Sequence, residues 1–399
     1  MNLIPDIVDT HDDMTRIRRD IHRHPELAYE ENRTADIVAH QLQSYGCEVT
    51  RGLGVTGVVG TLNNGRGNRA IGLRADMDAL AMDELNGFDH ASVHAGKMHG
   101  CGHDGHTSML LGAARYLAEN PVFDGAVHFI FQPAEEGRGG ADAMIKDGLF
   151  ERFPVESVWG MHNFPTVPVG HFITRPGPFL ACSDTVEVVI NGVGGHGAMP
   201  HHGRSPVNVA CAVIQALNEF VAHEIDTQFP STFTVGRIHG GDAINVIPDS
   251  IEFAGTMRSF SNDIRNQFEE GLVRIVNGTC AAKGITGQAT YTRNYPPLVN
   301  TADETASAAR AAARVVGESN VNAEARRIMG SEDFAFMLQH RPGNYVMIGN
   351  GEGEAHGCMV HNPHYDFNDE ILPIGATYWV ELVRELLPAS AGVRGAREQ

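Results

Sequence analysis

The stretch His99-Gly100-Cys101-Gly102-His103-Asp104-Gly105-His106 places a thiol, three imidazoles and a carboxylate within eight residues. The glycines let the backbone bend sharply. Because Cys101 and His103 alternate, a strand end or a tight turn would direct both side chains to one point. Sulfur and imidazole nitrogen are the ligands that zinc and similar ions prefer. The stretch therefore predicts a metal site. The alternative is a glycine-rich loop with incidental histidines that leads into a helix from about Thr107.

Further candidate ligands follow predicted strands on the carboxyl side of this stretch. A buried strand over residues 126–131 ends in Gln132-Pro133-Ala134-Glu135-Glu136-Gly137, and a strand over 157–161 ends at His162. His361 lies in a later loop. Strands and helices alternate, as in an open α/β sheet, which places its site at the carboxyl ends of the strands.

We predict that thiol, imidazole and carboxylate groups from these segments form one metal centre. Five ligands exceed the four of a closed structural zinc site, and two ions that share a ligand, with an open position for water, fit better. The five predicted ligands are Cys101, His103, Glu136, His162 and His361.

The adjacent pair Glu135-Glu136 is the most informative feature outside the Cys/His stretch. Neighbouring side chains that leave a strand point in different directions, so one carboxylate can bind metal while the other faces water. A carboxylate facing water can act as general base and then as proton donor. The alternative is a solvated loop pair, the usual environment of two adjacent glutamates.

Asp76 and Asp78 follow another short predicted strand, over residues 70–73. A carboxylate at this point can orient a ligand imidazole, as is common around zinc. The sequence leaves Asp78 equally compatible with a helix N-cap, and Asp76 can serve as the orienting group instead.

The pattern changes near Cys182. From residue 184 to residue 295 the predicted element order is β-α-β-β-α-β, which is typical of a ferredoxin-like unit. The proline-rich Tyr295-Pro296-Pro297 marks its end. We predict an α+β domain over residues 184–295 inserted into an α/β domain formed by residues 1–183 and 296–399. After the insertion, Ser331 is predicted to cap a helix, and the tail from Pro388 is predicted to be frayed.

Two side chains of the predicted insertion are also candidates. His196 lies in a glycine-rich loop, although a lone histidine is more often incidental. Arg258 ends a strand and can bind a carboxylate through two hydrogen bonds, although exposed arginines usually do not.

Composition and charge exclude several classes of protein. The chain of 399 residues is 42% hydrophobic and 20% charged, as in ordinary globular proteins. No apolar run approaches the roughly 20 residues of a membrane span, and the first ten residues show no secretory signal, so the cytoplasm is the expected location. Six cysteines without CxxC pairs argue against a disulfide scaffold or a zinc finger. The net charge of −19 argues against nucleic-acid and anionic-membrane partners.

The chain resembles the metal-dependent amidohydrolases that include hippurate hydrolase, the bacterial N-acyl-amino-acid amidohydrolases and the plant auxin-conjugate hydrolases. The resemblance extends in order over nearly the whole chain. The matching stretches are 19–27 (RDIHRHPEL), 74–80 (RADMDAL), 99–106 (HGCGHDGH), 132–137 (QPAEEG), 195–201 (GHGAMPH), 245–248 (NVIP), 255–258 (GTMR) and 329–334 (MGSEDF).

The resemblance implies that the five predicted ligands bind metal and that Glu135 is the catalytic base. It implies a lid domain that often dimerises and brings His196 to a neighbouring site. It also implies that Asn245 and Arg258 contact the carboxylate of the substrate. The wider superfamily has His-x-Asp where this chain has Asp76-Met77-Asp78. The ligand set is therefore the Cys/His version, which leaves the identity and occupancy of the metals open.

We therefore predict an enzyme that cleaves the amide of an N-acyl amino acid, of the hippurate or N-acetyl type, into a carboxylic acid and an amino acid. Glu135, Asp78 and His196 are assigned to catalysis, with His196 stabilising the oxyanion. The expected cofactors are two divalent ions per subunit, zinc or manganese, with cobalt or nickel as alternatives. The expected assembly is a homodimer, or an oligomer built from dimers, formed through the lid.

Two other functions remain open. A dipeptidase or carboxypeptidase would use the same metal centre. A non-catalytic relative that binds a small molecule would have lost the base or a ligand, and all of these residues are present.

Overall fold

The computed structural model describes residues 1–389; the predicted frayed tail from Pro388 thus lies almost entirely outside the described residues. The helices, in chain order, are α1 (Pro5–Val8), α2 (His11–Arg23), α3 (Asn32–Ser44), α4 (His103–Glu119), α5 (Glu135–Arg138), α6 (Gly140–Lys146), α7 (Leu149–Arg152), α8 (Pro206–His223), α9 (Asn262–Ala282), α10 (Ala302–Val316), α11 (Phe334–His340), α12 (Gly353–His356) and α13 (Leu372–Leu386).

The strands, in chain order, are β1 (Glu48–Leu53), β2 (Gly57–Asn64), β3 (Ala70–Asp76), β4 (Gly125–Gln132), β5 (Ser157–Pro165), β6 (Phe172–Ile173), β7 (Gly177–Leu180), β8 (Ser183–Asn191), β9 (Gly195–His196), β10 (Ser231–His239), β11 (Val246–Ile247), β12 (Ser250–Ser259), β13 (Thr286–Tyr295), β14 (Leu298–Asn300), β15 (Val321–Asn322) and β16 (Gly343–Gly351). Short 3-10 turns lie at Pro200–His202, Glu318–Asn320 and Asp369–Ile371.

The chain forms two compact units. The first comprises Met1–Gly177, Val299–Arg326 and the described residues from Phe336 onward, and the second comprises Pro178–Leu298 and Arg327–Ala335. The predicted boundaries at residues 184 and 295 fall inside the second unit, and its assignment as a lid stays a prediction.

The first unit contains an eight-stranded mixed sheet with the strand order β1-β2-β4-β3-β5-β16-β6-β15. The four central strands, β4, β3, β5 and β16, are parallel to one another. Strand β2 pairs antiparallel with β4, and β1 pairs antiparallel with β2. Every residue of β16 is buried, as expected for a parallel strand covered on both faces. Helices α2, α4 and α13 pack against one another, and α4 also packs on β3. The predicted mixed α/β architecture is confirmed.

The second unit has the predicted ferredoxin-like order, β8-α8-β10-β12-α9-β13. Its antiparallel sheet has the strand order β10-β12-β8-β13. Along β8 the buried residues Val186, Val188 and Ile190 alternate with more exposed ones. They share one core with apolar residues of α8 and α9, so the two helices cover one face of the sheet.

Three details of the sequence prediction are wrong. Helix α4 begins at His103 instead of about Thr107, and β5 continues through His162 to Pro165. Ser331 does not cap a helix, because the next helix begins only at Phe334, whose backbone N–H donates to the side chain of Glu332 at 3.0 Å. Within residues 1–389, none of the helices is both long and apolar enough to cross a membrane.

Candidate metal centre

The Cys/His motif, residues 99–106, lies at the start of α4, and its glycines are required by close contacts. Gly102 precedes the helix with φ of 95°, a left-handed conformation that favours glycine. A Cβ atom on Gly102 would lie 2.3 Å from Oδ1 of Asn163, and one on Gly105 would lie 2.1 Å from Cε2 of Phe367. Only glycine fits at these two positions. With glycine there, the helix begins at His103 and carries that imidazole in its first turn.

The structure brings the five predicted ligands together. Sγ of Cys101 lies 3.3 Å from Nε2 of His162. Oε1 of Glu136 lies 3.2 Å from Nε2 of His361 and 4.0 Å from Nε2 of His103. These side chains come from the motif, from the interior of β5, from the turn after β4 and from a loop before α13.

Cys101 belongs to two separate groups of candidate ligand atoms. Its sulfur lies within 4.8 Å of one ring nitrogen of His103 and one of His162, and these two nitrogens also lie within 4.8 Å of each other. The same holds for Cys101 with Glu136 and His361. A thiol that belongs to two groups would suit two ions with a common ligand.

His361 is positioned by an unusual backbone conformation. Its φ is 65°, in the left-handed region that residues with a Cβ seldom adopt. Its N–H donates to the carbonyl of Gly100 at 2.8 Å, which ties the loop to the Cys/His motif. Backbone strain of this kind is concentrated at functional sites.

Asp78 joins His103 to the turn that carries Glu135 and Glu136. Nδ1 of His103 lies 2.9 Å from the backbone carbonyl of Asp78, and because a carbonyl only accepts, this nitrogen carries the proton. Nε2 is then free to face Glu136. The carboxylate of Asp78 accepts the backbone N–H groups of Glu135 and Glu136, both at 2.9 Å. Asp78 therefore does not cap a helix that follows it, which was the alternative interpretation of the sequence.

Asp76 has a different partner, His106, which the sequence analysis did not single out. Oδ1 of Asp76 accepts from Nδ1 of His106 at 2.6 Å, and Oδ2 accepts from Nη1 of Arg74 at 2.7 Å. Burial alone would raise the pKa of Asp76, but the positive charges of His103 and Arg74 hold it well below its usual value. The sequence did contain an indication of this role, because the three-residue spacing between His103 and His106 places both on one face of a helix.

The electrostatic field of the centre favours cations. Burial would lower the pKa of His103, but the carboxylate of Asp76 outweighs it and raises this pKa well above its usual value. The neighbouring thiol of Cys101 and carboxylate of Glu136 raise the pKa of His361 to about 10. Burial raises the pKa of the Cys101 thiol, so a thiolate there needs a positive partner.

The residues fit a divalent metal. Among the described residues, Nε2 of His103 and Oε1 of Glu136 are buried and have no partner in hydrogen-bond geometry, although Oε1 of Glu136 lies 3.2 Å from Nε2 of His361. Leaving such atoms unpaired costs about 1–3 kcal/mol each, and a metal ion would satisfy both. One thiol, three imidazoles and a carboxylate are a donor set suited to zinc and similar ions. Glu135 is also buried, and one of its carboxylate oxygens lies within 4.8 Å of ligand atoms of His103 and Glu136.

The remaining predicted site residues lie in the second unit. His196 is exposed on the two-stranded ribbon of β9 and β11, opposite Val246. Asn245 directly precedes β11, and its carbonyl accepts the N–H of Gly197 at 2.8 Å. Arg258 lies on β12, and Nη1 of its half-buried guanidinium has no hydrogen-bond partner within the described residues. Burial lowers the pKa of Arg258. An unpaired, partly desolvated guanidinium suits a carboxylate ligand.

Comparisons with known proteins agree with this geometry. Residues 72–385 match the sequence profile of Peptidase family M20/M25/M40. The chain is 38% identical over 387 residues to hippurate hydrolase from Campylobacter jejuni, covering 97% of this chain and 100% of that protein. It is 35% identical over 378 residues to thermostable carboxypeptidase 1 from Saccharolobus solfataricus, covering 93% and 94% of the two chains.

A solved structure extends the comparison. The fold matches that of a dinuclear metal-binding peptidase of the M20 family from Bacillus subtilis with a TM-score of 0.83 and 30% identity, covering 95% of this chain and 99% of that one. The predicted resemblance to the hippurate hydrolase-like amidohydrolases is confirmed. The chain belongs to Peptidase family M20/M25/M40.

Proposed function

We propose that the protein is a metal-dependent amidohydrolase that cleaves N-acyl amino acids into a carboxylic acid and a free amino acid. The observation that carries this proposal is the position of Glu135 beside two groups of candidate ligands that share Cys101. The 38% identity to a hippurate hydrolase supports the substrate class, because hippurate is itself an N-acylated amino acid.

The proposed cofactors are two divalent ions per subunit, zinc or manganese, with cobalt or nickel as alternatives. They would be held by Cys101, His103, Glu136, His162 and His361. Such ions supply Lewis acidity toward the amide carbonyl and lower the pKa of water.

Glu135 is the proposed general base. Because Asp78 holds its backbone N–H, the turn that directs its carboxylate is fixed. The carboxylate takes a proton from the attacking water and returns it to the leaving nitrogen. His196 donates a hydrogen bond to the oxyanion, and Asn245 and Arg258 bind the carboxylate of the amino acid.

The second unit is the proposed lid and dimerisation domain of a homodimer. Strand β10 is an edge of its sheet, and its outer side pairs with no other strand of the described chain. An exposed apolar side chain lies on this strand at Ile238, and two more lie in the segment that follows it, at Ile244 and Val246. An open edge with apolar neighbours is suited to pairing with a second copy. The cytoplasm stays the proposed location, and the described cysteines are all free thiols.

A substrate panel tests the proposed reaction. It contains N-benzoylglycine, N-acetyl amino acids, unblocked dipeptides and N-benzoyl dipeptides, and the products are identified by mass. We expect cleavage between the acyl group and the amino acid, and little turnover of dipeptides with a free α-amine. Release of the carboxy-terminal residue from N-benzoyl dipeptides, without cleavage of N-benzoylglycine, would instead establish a carboxypeptidase. The 35% identity to a thermostable carboxypeptidase favours that as the second candidate.

A further inference from the structure

The turn after β4 is held by two buried carboxylates. Three consecutive backbone N–H groups, those of Ala134, Glu135 and Glu136, point at carboxylate oxygens. The last two donate to Asp78, as described above, whereas the N–H of Ala134 donates to Oε1 of Glu31 at 2.8 Å. Glu31 is distant in sequence, directly before α3, and the proposed mechanism does not use it.

Ala134 is the strained residue of this turn. Its φ of 54° and ψ of 41° lie in the left-handed region, which is unfavourable for a residue with a Cβ. It is fully buried, and its carbonyl accepts the N–H of Gly140 at 3.0 Å. The chain changes direction at Ala134, so its conformation sets the directions in which Glu135 and Glu136 leave the strand.

Glu31 is a buried carboxylate without a cationic partner. Its side chain is inaccessible, its second oxygen accepts the hydroxyl of Thr56 at 2.6 Å, and within residues 1–389 no ion pair involves it. Burial raises the pKa of Glu31 to about 7. An uncompensated buried carboxylate lowers stability. The carboxylate of Glu31 is hydrogen-bonded to the strained residue of the turn, and such strain is concentrated at functional sites.

We propose that Glu31 is a positioning residue for amide hydrolysis: its carboxylate fixes the left-handed conformation of Ala134 and thereby directs Glu135 and Glu136 into the metal centre. The kinetic part of this inference rests on the proposed function. The structural part, that Glu31 holds the turn, does not.

Hydrogen exchange of the metal-free protein tests the structural part with Glu31→Ala, Glu31→Gln and Glu26→Ala. In Glu31→Ala the amides of residues 132–137 should exchange at least about tenfold faster, because the N–H of Ala134 loses its buried acceptor. In Glu31→Gln they should stay near the wild-type rate, because the amide oxygen accepts from Ala134 and the amide N–H donates to Thr56.

Glu26→Ala is the matched control. The side chain of Glu26 accepts the N–H groups of Arg33 and Thr34 at the start of α3, at 2.9 and 2.8 Å, and makes no hydrogen bond with the turn. This variant should loosen the start of α3 and leave the exchange of residues 132–137 unchanged.

Steady-state kinetics test the functional part. Glu31→Ala should lower kcat about 10- to 100-fold, the size of effect that a displaced catalytic group produces, with KM within about twofold of wild type. Glu31→Gln should restore kcat to within about threefold, since the geometry of the turn is kept. A merely structural role would not produce this split between kcat and KM with rescue by glutamine.

Unchanged exchange of residues 132–137 in Glu31→Ala would overturn the inference, and so would a Glu31→Gln variant as defective as Glu31→Ala. If Glu31→Ala does not fold, the wild type still provides a test. The amides of residues 134–136 should be protected to the level of β4, and rapid exchange there would contradict the proposed bonds. If exchange behaves as expected but the wild type cleaves no N-acyl amino acid, the proposed function fails while the role of Glu31 in holding the turn stands.

Discussion

Glu135 and Glu136 are neighbours in sequence but have different surroundings. The carboxylate of Glu136 lies among His103, His361 and Cys101, whereas Glu135 is buried beside this group. Glu135→Gln should keep the metal and lower kcat by about 10²- to 10⁴-fold, because an amide cannot accept the proton of water. Glu136→Gln should lower the metal content, because a neutral amide is a poor ligand. Elemental analysis and kcat of both purified variants decide between the roles, and the opposite pattern would exchange them.

Single residues were predictable from the sequence where chemistry is concentrated locally. The thiol of Cys101, the imidazole of His103 and the Glu135-Glu136 pair stand out because their residue types and spacing suit metal and acid–base chemistry. The hydrogen bond between Glu31 and Ala134 was not predictable, because the two residues are 103 positions apart. The contact between Nδ1 of His103 and the backbone carbonyl of Asp78 was not predictable either, because a backbone group has no signature in the sequence.

Helices α2 and α4 are joined by a buried histidine. Nδ1 of His22 donates to Asp104 at 2.8 Å, and its Nε2 lies 3.2 Å from Glu84. Burial would lower the pKa of His22, but the charge of Asp104 outweighs it and raises the pKa to about 9. A histidine with a raised folded-state pKa stabilises the fold fully below its unfolded pKa of about 6.5, and this contribution is lost as the pH rises through about 9.

We therefore expect the difference in free energy of unfolding between wild type and His22→Gln to shrink by about 3 kcal/mol between pH 6 and pH 10. Urea titrations of the metal-free proteins measure it. His128→Gln is the control, since burial lowers the pKa of His128 to about 4, so its contribution changes by less than about 1 kcal/mol above pH 6 and in the opposite direction. A constant difference for His22→Gln over this range would show that His22 is neutral in the folded protein.

Whole elements were predicted well except where tertiary contacts override local preferences. Gly102 and Gly105 are poor helix residues, so the sequence favours a loop before Thr107. Asn163 and Phe367 lie so close to these two positions that a Cβ does not fit there, and the helix nevertheless begins at His103. The polar side chains of His162 and Asn163 suggest that β5 ends there. Both residues instead pair with β16, so β5 continues to Pro165.

At the scale of the whole molecule, activity should depend on bound metal. Dialysis against a chelator should abolish amide hydrolysis and lower Tm, because ligand binding to the folded state stabilises it. Zinc, manganese or cobalt should restore both. Since Cys101 belongs to both groups of ligands, Cys101→Ala should lose more metal per chain than His162→Ala. Full activity in protein verified to be free of metal would contradict the mechanism.

The division of the chain into two units bears on where His196 acts. The five candidate ligands and Glu135 belong to the first unit, and His196 belongs to the second. In the proposed homodimer, a histidine on the second unit can complete the site of the partner chain. If His196 acts in the site of the partner chain, dimers that combine two differently mutated chains should have a predictable activity.

Consider a dimer of one Glu135→Gln chain and one His196→Ala chain, each nearly inactive as a homodimer. If His196 acts in trans, the chain with intact Glu135 receives His196 from its partner, so one site of two works and the purified mixed dimer has about half the wild-type activity. A dimer of wild type with the double variant Glu135→Gln/His196→Ala should then be nearly inactive, because the chain with intact Glu135 is paired with a partner that lacks the imidazole. If His196 acts in its own chain, the two results are reversed. Co-expression with two different tags, purification of the doubly tagged species and assay of kcat distinguish the two arrangements.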